Sequence, residues 1–152
     1  MMDVGDQVPD VIATGADGAP LALRTLAFPA VIWFYPRDDT PGCTREALDF
    51  TALAADFAAA GASLLGVSRD DAKSHAKFAA KHALTPPLAS DLDGSVTEAF
   101  GVWIEKWMYG RTSMGIDRAT FLFDRDARLA RAWRKVKVAG HAQAVLDAVR
   151  AL

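Results

Sequence analysis

The 152-residue chain has a single cysteine, three histidines, no long apolar run and no excess of either charge, and each shortage removes a class of protein. A lone cysteine cannot close an internal disulfide, which excludes the small secreted domain held together by disulfides and makes a reducing compartment, the cytoplasm, the expected location. His75, His82 and His141 are scattered, and neither an HxxxH nor a CxxC spacing occurs, so no metal and no other cofactor is expected. They read as helix-surface histidines. Seventeen Lys and Arg stand against 19 Asp and Glu, a formal charge of -2 with no basic stripe, which argues against a nucleic-acid partner. No apolar run approaches the ~20 residues of a membrane span, and the opening MMDVGDQVPD has neither a basic nor an apolar targeting segment, so a soluble, unprocessed chain with no membrane partner is expected. The phosphate-cradling patterns GxxxxGK[ST] and GxGxxG are also missing.

What is present alternates. Ala30 to Tyr35 (AVIWFY) is a continuous apolar run rich in β-branched and aromatic residues, as in a strand buried on both faces. Pro36 ends it. Thr40 then takes the N-cap position of a helix with Pro41 at its first residue, and apolar positions recur at Cys43, Ala47, Phe50, Ala54 and Phe57 until Gly61 closes one amphipathic helix. SLLGV (63–67) predicts a second strand, and DDAKSHAKFAAKHAL a second helix with Lys81 and His82 at its C-terminal end. After Pro86-Pro87 come a short helical stretch around Val96 to Phe100 and an irregular GVWIEKWMYGRTSMG. Strands over Thr120 to Asp124 and Leu129 to Val136 and a helix from His141 to Leu152 complete the pattern. Strand–helix alternation followed by a strand pair predicts an α/β fold with a central mixed sheet flanked by helices, in one domain over residues 1–152.

The segment FYPRDDTPGCTREALDF (34–50) concentrates the chemistry. A cysteine in the first turn of a helix faces free backbone N–H groups and the positive end of the helix dipole, both of which favour thiolate over thiol. Three residues earlier Thr40 can aim a hydroxyl at whatever approaches the sulfur, and Pro36 fixes the bend from strand to helix. The competing reading makes Cys43 a small, buried, inert residue behind a Pro-Gly turn. The four tryptophans read as core and rim packing, with Trp103 and Trp107 the two that could border a site, and Asp38 and Asp39 read as solvated loop acids rather than a metal pair.

That segment resembles the active-site stretch of the peroxiredoxins, whose pattern of Pro, three residues, Thr or Ser, two residues and Cys falls on Pro36, Thr40 and Cys43. FYP, DDTPGCT and Glu46 resemble the bacterioferritin-comigratory or Q-type subfamily, and VGDQVPD, PLASD, FGVWIEKWMYG and GIDRATFLFD extend the likeness over nearly the whole chain. The resemblance implies a thioredoxin-like fold and a thiol peroxidase with Cys43 as the attacking group. It matches the family's arginine, which precedes a Thr-Phe pair on a later strand, to Arg118 in GIDRATF, and it makes Glu46 an acid that orients arginines around the site.

For any thiol, a lower pKa raises the thiolate fraction but reduces nucleophilicity by a comparable factor, so acidity alone does not make a fast peroxidase. Stabilisation of the departing peroxide oxygen by Arg118, Thr40 and the Cys43 N–H must supply the rest. Many members of the resembled subfamily carry a second, resolving cysteine five residues on or in a following helix; here the first place holds Leu48 and KHALTPPL has none. The expectation is therefore a one-cysteine peroxidase acting on hydrogen peroxide and small organic hydroperoxides, its sulfenic acid reduced by an external thiol such as thioredoxin, glutaredoxin with glutathione, or another small thiol. A monomer or weak homodimer is expected. The rival reading is a peroxide-sensing or chaperone-like protein that turns over poorly, and a Cys-His hydrolase is a further one.

Overall fold

The computed structural model describes residues 2–152. Its nine strands and five α-helices follow in the order β1 (Ile12–Thr14), β2 (Pro20–Ala22), β3 (Ala30–Phe34), α1 (Pro41–Ala52), α2 (Ala54–Ala59), β4 (Ser63–Ser68), α3 (Ala72–His82), β5 (Leu88–Ser90), α4 (Ser95–Ala99), β6 (Trp103–Met108), β7 (Arg111–Ile116), β8 (Ala119–Phe123), β9 (Leu129–Trp133) and α5 (His141–Arg150). Seven strands form one sheet in the order β2-β1-β5-β4-β3-β8-β9. The β3–β4 and β4–β5 pairs are parallel, with α1–α2 and α3 as their crossovers, whereas β8 runs antiparallel to both β3 and β9. The mixed sheet is as expected.

β3 lies at the centre and is buried along its whole length. Its side chains alternate: Val31 and Trp33, with Tyr35 just beyond, join Phe50 of α1, Phe57 of α2, Phe78 of α3 and Val145 of α5, while Ile32 and Phe34 join Phe100, Phe121 and Phe123 on the opposite face. The two apolar layers need an uninterrupted hydrophobic strand between them, which explains the AVIWFY run. Trp33 lies flat over Gly66 of neighbouring β4, where an added Cβ would come within 2.6 Å of the indole, so that strand position admits only glycine.

Three local expectations are corrected. The stretch from Pro41 to Gly61 is two helices, not one; the ladder resets at Leu53, where the Thr51 hydroxyl donates to the Ala47 carbonyl, a side-chain bond that bends helices. Residues 103–116, read as irregular, form a hairpin of β6 and β7 that pairs from Trp103–Ile116 to Met108–Arg111 and turns at Tyr109 and Gly110, both with positive φ. Two three-residue strands, β1 and β2, precede Ala30 where none is predicted.

Candidate active site

The sequence places a proline at the end of a buried strand and another at the start of a helix, and the five residues from Pro36 to Thr40 turn the chain between them. Pro41 opens α1, sacrificing only an N–H that would have had no helical partner, and this sets Cys43 in the first turn. The Cys43 thiol is 1% exposed, packed in the layer that holds Phe50 and Trp33. The N–H groups of Gly42 and Cys43 have no carbonyl four residues back inside α1, so the sulfur sits at the positive, donor-rich helix end.

Arg118 directly precedes β8, the antiparallel neighbour of β3, and its guanidinium reaches across to α1. Nη2 donates to Cys43 Sγ at 3.4 Å and Nη1 to Glu46 Oε1 at 2.9 Å. The fork thus joins a thiol and a carboxylate 75 and 72 residues away in sequence. Gly42 makes the approach possible, because a Cβ there would lie 3.2 Å from Nη2. Burial works to lower the Arg118 pKa, but the charges of Glu46 and Cys43 outweigh it and the net direction is upward, so the cation is permanent.

Glu46 is 1% exposed and only half satisfied: Oε1 holds Arg118 while Oε2 has no partner among the described residues. Burial pushes its carboxyl up to about 7 against the lowering pull of Arg118. Thr40 occupies the N-cap position, yet its hydroxyl donates to the Arg37 carbonyl at 2.9 Å and makes no cap bond. With its proton committed to Arg37, the Thr40 oxygen is left free to accept. Pro36 is exposed at the strand end, away from the sulfur's direct partners. The structure therefore brings Cys43, Arg118 and Glu46 into one bonded cluster, with Thr40 at its rim and Pro36 in the supporting bend.

Several side chains depart from their sequence reading. His75 is 1% exposed and His141 is 7% exposed, so two of the three histidines lie inside the protein rather than on helix surfaces. His141 accepts or donates with the Thr120 hydroxyl at 2.8 Å behind the site, and burial, then the Arg118 charge, lowers its pKa to about 4. Asp38 is buried as well, not solvated, whereas Asp39 remains at the surface, paired with Lys81 and His82. Trp103 stacks beneath the Arg69 guanidinium at 4.4 Å, and Trp107 packs against no core at all, being 72% exposed.

Lys106 went unnoticed in the sequence. It is half-buried on β6, its stem lying over Gly115, where a Cβ would meet Lys106 Cδ at 3.2 Å. Burial lowers its pKa, and it feels the charges of Asp117, Arg118 and Cys43, which makes it a second cation beside the site. The one hint was the glycine at 115, whose missing Cβ leaves room for the lysine stem. Among the described residues no group of three or more His, Cys, Asp or Glu could hold a metal ion, and no helix is long and apolar enough to cross a membrane.

The arrangement resembles known proteins over nearly its full length. The AhpC/TSA family profile matches residues 4–132. Peroxiredoxin Bcp of Xanthomonas campestris pv. campestris is 56% identical over 121 residues, covering 80% of this chain and 76% of that protein. Peroxiredoxin Bcp of Bacillus subtilis is 40% identical over 150 residues, covering 98% and 96%. A solved cysteine-to-serine variant of Xanthomonas campestris Peroxiredoxin Q superposes with a TM-score of 0.90 at 48% identity, covering 99% of each chain. A different cysteine is replaced in a second solved variant of that protein, so it has at least two cysteines where this chain has one.

Proposed function

The chain belongs to the AhpC/TSA family as a peroxiredoxin of the Bcp or PrxQ type, with the thioredoxin-like fold and thiol peroxidase activity of that family, and from that premise we propose that it works with one cysteine, reducing hydrogen peroxide and small organic hydroperoxides at Cys43 and drawing its electrons from an external thiol. The observation that carries this reading is the Arg118 fork on Cys43 Sγ in a chain with no other sulfhydryl.

The Cys43 thiolate attacks the hydroxyl-bearing oxygen of the peroxide. The S–O bond forms as the O–O bond breaks, the sulfur gives up two electrons, and the departing oxygen takes the proton the thiol lost, leaving Cys43 sulfenic acid and water or an alcohol. Negative charge grows on the departing oxygen. Arg118 is positioned to donate to it, as are the free N–H groups of the first turn of α1, and none of these donors has to reorganise. Thr40 enters with the opposite polarity from a simple donor. Because its proton is held by the Arg37 carbonyl, its oxygen accepts the O–H of the incoming peroxide and turns the reactive oxygen toward sulfur.

The second half of the cycle follows from composition. A thiol R–SH condenses with the sulfenic acid, releasing water and leaving a mixed disulfide, and a second thiol releases Cys43 and a disulfide product. The place five residues after Cys43 holds Leu48 on the exposed side of α1, so the chain offers no internal thiol for the first of these steps. Since Sγ is buried, a protein reductant must wait for the first turn of α1 to open, whereas a small thiol has less to displace.

Intact mass after one equivalent of hydrogen peroxide tests the proposal. The expected result is a gain of one oxygen that a sulfenic-acid trap captures and that excess thiol reverses, with the protein monomeric on a non-reducing gel. A quantitative intermolecular disulfide at low concentration would overturn the one-cysteine mechanism.

A further inference from the structure

Behind the bend from Pro36 to Thr40 lies a second buried polar cluster, which the chemistry at sulfur does not use. Its centre is Asp38 of the bend against His75 of α3, with side chains 3% and 1% exposed. Asp38 accepts from the Tyr35 hydroxyl at 2.6 Å and from the Ser74 hydroxyl at 2.7 Å, and its own N–H donates to Asp70 Oδ2 at 2.8 Å. His75 Nδ1 lies 2.8 Å from Asp38 Oδ2 and 3.0 Å from Oδ1, while Nε2 lies 3.0 Å from the Ala89 carbonyl oxygen.

The protons of this cluster can be assigned from what each group is able to do. A carbonyl oxygen only accepts, so Nε2 must carry hydrogen. At the other nitrogen stands a carboxylate, and the hydroxyl of Tyr35, 3.3 Å away, has already given its single proton to Asp38. With the Tyr35 proton given to Asp38, each ring nitrogen faces an acceptor, an arrangement that hydrogen on both nitrogens satisfies. The surroundings agree. Burial and the Asp38 charge push the Tyr35 pKa upward, keeping the phenol protonated. Burial works to raise Asp38, but the bonds from His75, Tyr35 and Ser74 outweigh it and hold the carboxyl below its usual range. Asp70 adjoins the cluster, accepting from the Ser68 hydroxyl and the Asp38 N–H, while Asp71, Lys73 and Lys77 line the cleft beside Asp38.

We infer that His75 and Asp38 form a buried imidazolium–carboxylate clamp that positions the bend from Pro36 to Thr40, and with it the Thr40 oxygen, for attack on peroxide. This rests on the peroxidase reading of Cys43. A buried ion pair contributes little to stability compared with apolar residues of the same volume, so what it offers is a defined geometry. The clamp is reinforced at the far end of the same helix, where Asp39, held at a φ of 58°, pairs with Lys81 at 2.7 Å and His82 at 2.8 Å. Adjacent residues of the bend are therefore tied to the first and last turns of α3. His75 is a positioning residue: it touches neither the sulfur nor its partners.

Two measurements on the reduced protein test the inference. In the parent, nitrogen NMR of the histidine rings at neutral pH, with the His75→Gln variant identifying the signal, is expected to show both His75 nitrogens protonated; a single-tautomer neutral ring overturns the ion pair. Asp38→Asn and the double variant Asp38→Asn/His75→Gln are then compared in single-turnover oxidation of Cys43 by hydrogen peroxide and in its alkylation by iodoacetamide, which does not need Thr40. The single variant is expected to lose thermal stability and the double variant to regain it, yet both should oxidise about 10- to 100-fold more slowly with alkylation within about twofold of the parent. A double variant that oxidises at the parental rate would reduce the pair to a satisfied core contact. Parent protein whose Cys43 fails to consume peroxide removes the peroxidase reading and the positioning role together, while the ring-nitrogen result still stands or falls alone.

Discussion

Two buried carboxylates flank Cys43 in sequence, Asp38 on the loop side and Glu46 on the helix side, and their pKa values move in opposite directions. Asp38 has a donor on each oxygen, from Tyr35, Ser74 and His75, and its pKa is lowered. Glu46 is the more deeply buried, 1% exposed against 8%, and has one partner, Arg118, with its second oxygen unpartnered among the described residues, and its pKa is raised to about 7. Deeper burial with a single partner pushes Glu46 up, whereas at Asp38 three hydrogen bonds outweigh burial. The fully bonded acid is tied through its own backbone N–H to Asp70, and the half-bonded one shares Arg118 with the Cys43 sulfur.

The largest expected effect comes from removing what the two acids flank. Cys43→Ser keeps the size and the packing but leaves a hydroxyl that is not ionised at neutral pH, so peroxide consumption should vanish while circular dichroism and thermal unfolding stay near the parent. Retained turnover in that variant would deny the sulfur its role. Next comes Arg118, which satisfies Glu46 and Cys43 together. Arg118→Ala and Arg118→Lys are both expected to slow Cys43 oxidation by at least about tenfold, the ~1.4 kcal/mol of one charge-assisted hydrogen bond. The alanine variant also strips Glu46 of its one partner, so it should lose stability more steeply above neutral pH than the lysine variant does. Equal rates for Lys and Arg would show that charge, not the two-pronged geometry, is what the site uses.

How far this asymmetry could be read beforehand depends on the separation between partners. The strand–helix alternation, the fully buried β3 and the position of Cys43 in the first turn of α1 are local consequences of residue order, and the sequence showed them. Pairing Arg118 with Glu46 across 72 residues came from family resemblance rather than from spacing. The bond from Asp38 to His75 spans 37 residues and had no such guide; DD in a loop and a lone histidine in a Lys-rich helix both look solvated. The β6–β7 hairpin was missed for a physical reason. Its apolar residues Trp107, Met108 and Met114 are exposed, so WIEKWM carries no core-facing alternation, and the usable signal was the Tyr109-Gly110 turn. The break at Leu53 leaves no trace in the apolar pattern, because Phe57 of α2 still packs into the same layer as Phe50 of α1.

Glu46→Gln sharpens the comparison by giving the half-bonded acid a neutral side chain of the same shape. An amide oxygen still accepts from Arg118, so the oxidation rate should fall only a few-fold, ~1 kcal/mol or less. The clearer consequence is in stability. A folded pKa of about 7 against an unfolded 4.5 means the folded protein binds the extra proton, so this contribution is fully present below pH 4.5 and is lost as pH rises to about 7. The variant should lack that decline, measured as urea midpoints across the window.

The smallest effect on rate and the most specific on pH belongs to His141, whose ring is packed edge-on against Phe50 and Trp133 behind the site. Its folded pKa of about 4 lies below the unfolded 6.5, so here the unfolded chain binds the extra proton and stability falls as pH drops from 6.5 toward 4. This slope is opposite in sign to that of Glu46 over nearly the same window, and the loss of stability from Asp38 begins lower, below its unfolded 3.8. The parent should therefore show a shallow profile between pH 4.5 and 6.5 in which two opposing slopes offset each other. His141→Gln keeps a hydrogen bond within reach of Thr120 and should leave the oxidation rate within about twofold, while uncovering the Glu46 slope, so that the variant becomes steadily more stable than the parent as pH falls. Glu46→Gln should uncover the converse, a loss on acidification of about 1 to 2 kcal/mol once solvent at the ring edge is allowed for. The double variant should again be shallow, now because neither group titrates. If both single variants instead keep the parental profile, the two buried groups do not govern stability in this window, and the contrast between a fully bonded and a half-bonded acid has no thermodynamic weight.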